Sequence, residues 1–262
     1  MRIAVTRGVS PSIGRCELTH LARSPIDLGV ARAQHAAYER CLAEAGCVLE
    51  RIEASAGLPD SVFVEDAAVV FDELAIITRP GAASRRPETD EVATVVARYR
   101  PLCRLEAPAT LDGGDVIVAG RRVFVGRSGR TNAAGIDAMR RLLAPHGYTV
   151  EGVDVTLCLH LKSAATRVGD GLLLVNPAWV DPAVFDPLAV VEVDPAEPYA
   201  ANALPVGRDL VCAAGFPRTR ARLEARGLRV REVEAGELAK AEGAVTCCSL
   251  VFEAGIPARG LP

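Results

Sequence analysis

Short apolar runs joined by turns rich in glycine and aspartate recur along the chain, and each pair of runs reads as a β-hairpin. Ala67-Ala68-Val69-Val70-Phe71 passes through a polar turn to Leu74-Ala75-Ile76-Ile77-Thr78. Val116-Ile117-Val118 turns at Gly120-Arg121 into Val123-Phe124-Val125, and Val168 turns at Gly169-Asp170-Gly171 into Leu172-Leu173-Leu174-Val175. Leu204 turns at Gly207-Arg208 into Leu210-Val211-Cys212. A fifth hairpin opens with Cys248-Ser249-Leu250-Val251-Phe252 and is completed by the amino-terminal run Arg2-Ile3-Ala4-Val5-Thr6-Arg7. After most hairpins the apolar spacing changes from continuous to three-four, which predicts amphipathic helices. Thr89 to Arg100 carries Val92, Val95 and Val96, and Asn132 to Ala144 carries Ile136, Met139, Leu142 and Leu143. Pro217 to Arg226 is a shorter version, and Val30 to Gly46 ends in a glycine, as helices often do. Third strands follow at Cys47–Ile52, Leu102–Leu105, Val150–Val155, Val190–Val193 and Leu228–Val233.

The repeating unit is therefore ββαβ, present about five times, and such repeats close into a solenoid or a radial propeller. A polar position shared at the start of each hairpin would bring polar groups to a common centre in a propeller. A Rossmann sheet is the competing α/β architecture. Its strands do not come as hairpins, and no Gly-x-Gly-x-x-Gly follows the first strand here. The expectation is a fivefold pseudosymmetric α/β propeller, one catalytic domain over residues 1–262.

Composition narrows the class. Half of the 262 residues are hydrophobic, enough to fill a core and too many for a disordered tail. Thirty basic residues against thirty-three acidic ones give a net charge of −3, so there is no basic surplus for nucleic acid. No stretch approaches the ~18 apolar residues of a membrane span. The amino terminus lacks the apolar run of a signal peptide. The eight cysteines form no Cys-x-x-Cys pair and no Cys/His cluster with zinc spacing. Most of them read as reduced core thiols of a cytoplasmic protein.

Four segments could carry chemistry. Glu65-Asp66 sits between apolar runs, where two carboxylates are costly to bury without a cation. Solvated acids on a turn are the alternative. Asp112-Gly113-Gly114-Asp115 gives close backbone approach before a strand, but the other ligands of a calcium loop are missing. His160, within Leu159-His160-Leu161, is either a hydrogen-bonded core histidine or, with an acid to orient it, a proton carrier near neutral pH. Cys247-Cys248 is either small core filling or the source of one nucleophile, since strand alternation would send the two to opposite faces. Arginines at Arg85, Arg86 and Arg130 match carboxylates bidentately or are solvated surface charge.

Taken in order, Asp60-Ser61-Val62-Phe63-Val64-Glu65-Asp66, Thr78-Arg79-Pro80-Gly81 with Ser84-Arg85-Arg86, Leu111-Asp112-Gly113-Gly114-Asp115, Arg130-Thr131-Asn132, Leu159-His160-Leu161-Lys162 and Thr246-Cys247-Cys248-Ser249 resemble the dimethylarginine dimethylaminohydrolases over almost the whole chain. Arginine deiminases and amidinotransferases are the wider relatives and share the fivefold propeller, the pentein fold. The resemblance implies that Cys247 is the nucleophile, His160 the general acid/base and Asp112 the acid that orients it. It implies that Asp66, with Glu65 beside it, binds the guanidinium, and that Arg85 and Arg130 hold the α-carboxylate. Asp60 and the main chain near Leu18 and Ala241 take the α-amino end. Two departures concern that end: many relatives have Asp-Gly where this chain has Glu242-Gly243, and the lid region around Leu18 matches poorly.

The implied activity is hydrolysis of the C–N bond of a linear amidine. Nω,Nω-dimethyl-L-arginine or its monomethyl analogue would give L-citrulline and dimethylamine or methylamine through a covalent thiouronium. No metal and no organic cofactor has a role in that scheme, and the expected partners are a small-molecule substrate and, in a homodimer, a second copy. An arginine deiminase, an amidinotransferase or a citrulline-cleaving hydrolase would use the same thiol machinery. A non-catalytic propeller, as in ribosome anti-association factors, needs no thiol, histidine and acid at these positions.

Overall fold

The structure is a computed structural model that describes residues 1–255. The chain opens with β1 (Arg2–Arg7), crosses by α1 (Leu28–Glu44) and returns as β2 (Cys47–Ile52), parallel to β1. The second blade is β3 (Ala68–Val70), β4 (Ala75–Ile77), α2 (Thr89–Val96) and β5 (Leu102–Arg104). The third is β6 (Val116–Ala119), β7 (Arg122–Arg127), α3 (Ala133–Leu143) and β8 (Thr149–Asp154). In the fourth, a one-turn α4 (Leu161–Ala164) leads into β9 (Ala165–Gly169), β10 (Leu172–Val175) and β11 (Ala189–Glu192). The fifth is β12 (Ala203–Val206), β13 (Asp209–Ala213), α5 (Pro217–Glu224) and β14 (Arg229–Val233). A short α6 (Gly236–Ala239) precedes β15 (Leu250–Glu253), which pairs antiparallel with β1 and completes the first blade.

Each blade is a three-stranded sheet: an antiparallel hairpin plus a third strand parallel to the hairpin's second. The repeats read from the sequence are these five blades, ββαβ in all but the fourth. Between β10 and β11 there is only a 3-10 turn, Pro182–Phe185. Pro177, Pro182 and Pro187 crowd that connection and remove the backbone donors that a helix would need.

The continuous apolar runs of the middle strands have a physical reason. Alternate residues of one strand face opposite seams between blades, so both faces are buried. Ile3 and Val5 pack against β4 and α2, while Ala4 packs toward α1 and the fifth blade. Leu173 and Val175 join the cluster shared with the third blade, and Leu174 the cluster shared with the fifth. Five such clusters form a closed ring. In one of them Phe124 and Phe185 meet edge to face at 5.1 Å, a contact worth about 1 kcal/mol beyond its area.

The first strands of the hairpins, β3, β6, β9, β12 and β15, surround a cavity of about 430 Å³ along the axis. Glu65, Gly113, Lys162 and Thr246 line one end of it, just before those strands begin.

Candidate active site

Because the inner strands start at a common level around the axis, the segments that precede them converge. Glu65 and Asp66 lie on a 3-10 turn, Val64–Ala67, ahead of β3, and Asp112 caps the turn Gly113–Asp115 ahead of β6. His160 is the residue before α4, and Cys247 lies in a turn ahead of β15. Cys247 and Cys248 are thus not on a strand, and the alternation expected to separate them does not operate there; both are buried in one apolar cluster. Among the sequence-chosen residues, Asp60, Asp66, Arg85, Arg130, His160, Ala241 and Cys247 line a single pocket beside the axial cavity. Its free volume is about 10 Å³, room for about one water. Leu18, Glu65 and Asp112 do not line it.

His160 is buried, with Nε2 3.1 Å from Asp112 Oδ2, and Asp112 Oδ1 accepts the Gly81 N–H at 2.9 Å. Its Nδ1 is 3.9 Å from Asp66 Oδ1. That approach depends on Gly114, where a Cβ would lie 2.5 Å from the imidazole Nδ1 and 2.9 Å from the Asp66 oxygen. Burial disfavours an imidazolium here. Asp66, the Asp112 hydrogen bond and Asp115 outweigh it and push the pKa up to about 9.

Asp66 is buried too, which favours its neutral form. His160, Arg85 and the Gly114 N–H more than compensate, and its pKa falls to about 2. Arg85 Nη1 donates to Asp66 Oδ2 at 2.6 Å, Nε and Nη2 donate to Glu88, and Nη2 also reaches the Phe63 carbonyl at 3.2 Å. Arg85 is therefore a brace for Asp66 with most of its donors committed. Glu65 turns the other way. Its carboxylate accepts from Lys162 Nζ at 2.6 Å and from Thr246 Oγ1 at 2.8 Å, on the axial-cavity side.

The Cys247 thiol is pushed far up by burial and then by the charges of Glu65 and Asp66. Burial thus favours the neutral thiol, and Cys247 shares the pocket lining with His160.

On the other side of Asp112, Arg130 is 9% exposed, yet its Nη1 has no hydrogen-bond partner and lies 3.8 Å from Asp112 Oδ2. A buried guanidinium donor without an acceptor is unusual, and it is the group an incoming carboxylate would satisfy. Asp60 accepts the Glu17 N–H at 3.1 Å, and Arg130 Nη2 donates to Thr19 Oγ1 at 3.1 Å, so residues 16–23 close over the pocket. Leu18 is half-buried against the core beneath this loop. Glu242 holds the loop from the other side, its carboxylate accepting the N–H groups of Thr19, His20 and Leu21 at 3.0, 2.5 and 2.6 Å. It does so with φ at +59°, a left-handed backbone that costs a non-glycine residue roughly 1–2 kcal/mol. The two segments singled out in the sequence therefore touch: Glu242 is the clasp of the loop around Leu18.

The oxygens of Asp66 and Asp112 and a nitrogen of His160 lie within 4.8 Å of one another, a spacing that a metal ion could use. Their hydrogen bonds are already committed to Arg85, Gly114, Gly81 and each other, with two guanidinium groups close by.

No protein-family model matches the chain. A dimethylarginine dimethylaminohydrolase of Streptomyces coelicolor is 41% identical over 251 residues, covering 94% of this chain and 95% of that protein. The chain belongs to the dimethylarginine dimethylaminohydrolase family. The Pseudomonas aeruginosa member is 37% identical over 89% of this chain and 92% of its own. The crystal structure of its cysteine-to-serine mutant complexed with citrulline superimposes with a TM-score of 0.91, over 95% of this chain and 98% of that one. The amino-terminal domain of the arginine dihydrolase ArgZ shares the fold, with a TM-score of 0.83 at 19% identity. As a dimethylarginine dimethylaminohydrolase-family protein, the chain is a hydrolase with the pentein fold. Among its described residues, no helix is long and apolar enough to cross a membrane.

Several residues of this family member escaped the sequence reading. Asp115 Oδ1 accepts the Leu161 N–H at 2.9 Å, and its Oδ2 accepts the Ser128 and Thr131 hydroxyls at 2.6 and 2.7 Å, tying the His160 segment to the Arg130 loop. Burial raises its pKa to about 6. Glu88, behind Arg85, is raised by burial to about 7. Asp115 lies inside the Asp112-Gly113-Gly114-Asp115 motif, and Glu88 three residues past Arg85. Nothing in one sequence separates such braces from surface acids.

Proposed function

We propose that the chain hydrolyses Nω,Nω-dimethyl-L-arginine, and the monomethyl analogue, to L-citrulline and dimethylamine or methylamine, with Cys247 as nucleophile. The observation that carries this reading is a single pocket lined by a buried thiol, a histidine and Asp66 together with an arginine whose buried Nη1 has no hydrogen-bond partner. Asp66 takes the guanidinium. Arg130 takes the α-carboxylate, and Asp60 with the main chain near Leu18 and Ala241 takes the α-amino group. Glu65 acts behind the pocket as a support of Cys247, and Arg85, in the pocket wall, braces Asp66.

The cationic guanidinium, once beside Sγ, favours the thiolate, and the thiol proton leaves to bulk water. Sγ adds to the guanidinium carbon, held in place by Asp66. His160, protonated and held by Asp112, gives its Nδ1 proton to the departing amine as the C–N bond breaks. The neutral imidazole then removes a proton from water, which adds to the thiouronium carbon. The C–S bond breaks as the ureido carbonyl forms, and the hydroxyl proton passes to the departing thiolate, which restores the Cys247 thiol. Residues 16–23 must move for the substrate to enter, since the closed pocket has room for about one water.

Release of citrulline and dimethylamine in equal amounts from dimethylarginine, lost in Cys247→Ser, tests the reading. Protein quenched during turnover should carry the adduct mass on Cys247 and none on Cys248. Ammonia release from arginine at a higher kcat/KM would make the chain a deiminase instead.

A further inference from the structure

Four blades supply the pocket's reacting groups, and the fifth supplies none. Its inner strand β12 is nonetheless preceded by a buried polar residue at the shared position, Asn202. Asn202 Oδ1 accepts the Thr246 N–H at 3.0 Å, while Nδ2 donates to Thr246 Oγ1 and to the Lys162 carbonyl, both at 3.0 Å. The amide can sit only one way round, because a flip would set NH₂ against N–H and oxygen against oxygen. Thr246 Oγ1 has one proton, which goes to Glu65 Oε2 at 2.8 Å, and Glu65 Oε1 accepts from Lys162 Nζ at 2.6 Å. These contacts form a closed circuit: Lys162 carbonyl, Asn202, Thr246, Glu65 and back to Lys162 through its ammonium.

The members of that circuit are neighbours in sequence of the reacting groups. Thr246 precedes Cys247, Glu65 precedes Asp66, and Lys162 is two residues past His160. The Glu65 N–H also donates to the Cys247 carbonyl at 3.1 Å. The geometry points to Asn202 as a positioning residue: through its three-point grip on Thr246 and Lys162, the fifth blade sets where the Cys247 sulfur stands relative to His160 and Asp66. This inference rests on Cys247 as the nucleophile. Displacing a reacting atom by about 1 Å can cost roughly 10²-fold in rate, and that is the scale on which the grip acts.

The test compares Asn202→Ala, Thr246→Val and Thr246→Ser with the parent chain, all expressed per folded molecule by circular dichroism. With dimethylarginine, Asn202→Ala and Thr246→Val are expected to lower kcat roughly 10²-fold while KM stays within about threefold. Thr246→Ser keeps both polar contacts and should restore kcat to within about threefold of the parent. A second arm needs no substrate: alkylation of Cys247 by iodoacetamide against pH. Its midpoint should shift in Asn202→Ala and Thr246→Val, as the sulfur moves relative to the Glu65 and Asp66 charges that raise it, and not in Thr246→Ser. Parent-like kcat and an unmoved alkylation profile in Asn202→Ala, or equal losses in Thr246→Val and Thr246→Ser, would overturn the assignment. If the parent releases no amine from dimethylarginine, the functional reading fails by itself, and the alkylation arm still decides the role of Asn202.

Discussion

At the reacting end of the pocket the chemical side chains spring from the segments that start the inner strands and are buried. At the other end the closure is a loop, residues 16–23, held by hydrogen bonds that stand half in solvent. Charge is handled differently as well. Asp66, His160, Arg85 and Asp112 satisfy one another, whereas Arg130 keeps a buried donor without a partner. On the proposed reading the reacting groups are placed by the propeller, while the amino-acid end is covered by a loop held through hydrogen bonds to Asp60, Arg130 and Glu242. Mutations at the two ends should therefore fall on different kinetic constants.

The sharpest test of the reacting end is Asp112→Asn. Losing the acid that orients His160 is expected to lower kcat about 10³-fold. It should also move the alkaline limb of kcat/KM toward neutrality from near pH 9, because the Asp112 hydrogen bond is among the causes that raise the imidazole pKa. An unmoved limb over pH 5–10 would mean that the titrating group lies elsewhere.

Stability should report the same end without substrate. The folded pKa of His160 is raised to about 9 from 6.5, so its contribution is full below about pH 6.5 and is lost as pH rises through about 9. The size is about 3 kcal/mol, from 1.4 kcal/mol per unit. Denaturant midpoints at pH 6 and pH 9.5 should differ accordingly, and the difference should shrink in His160→Ala. Next in size, Arg130→Ala should raise KM about 30-fold, the scale of one charge-assisted hydrogen bond, with kcat within about fivefold. A loss confined to kcat would break the division between the ends. Smallest is Glu242→Gln, which weakens the clasp on residues 16–23 without removing it. KM should change by about threefold or less, with kcat unaltered, since each exposed bond is worth about 1 kcal/mol at most. A tenfold fall in kcat would place the clasp within the chemistry.

The blades were legible because β-hairpins with both faces buried leave continuous apolar runs, and helices leave a three-four spacing. The fourth blade lacks a long helix, as its three prolines foretell. The residues at the pocket came from motifs. Their directions did not, because those are set by turns without periodic signal. Glu65 and Asp66 are adjacent on one 3-10 turn and serve opposite sides of the same wall. Cys247 and Cys248 lie in a turn where strand alternation has no hold. Arg85 reads as a carboxylate fork in sequence and is found gripping Asp66 and Glu88. The Glu242 clasp and the Asn202 grip each join positions far apart in the chain, and no local pattern announces them.

The pairing of β15 with β1 sets an order for biosynthesis. Arg2 waits opposite an empty edge until Glu253 has left the ribosome, and Cys247 belongs to the same last segment. A nascent chain can assemble its middle blades early, from contacts that are local in sequence. On the proposed reading, a chain that stops before Cys247 lacks its nucleophile, and is not a slow enzyme but an inert one.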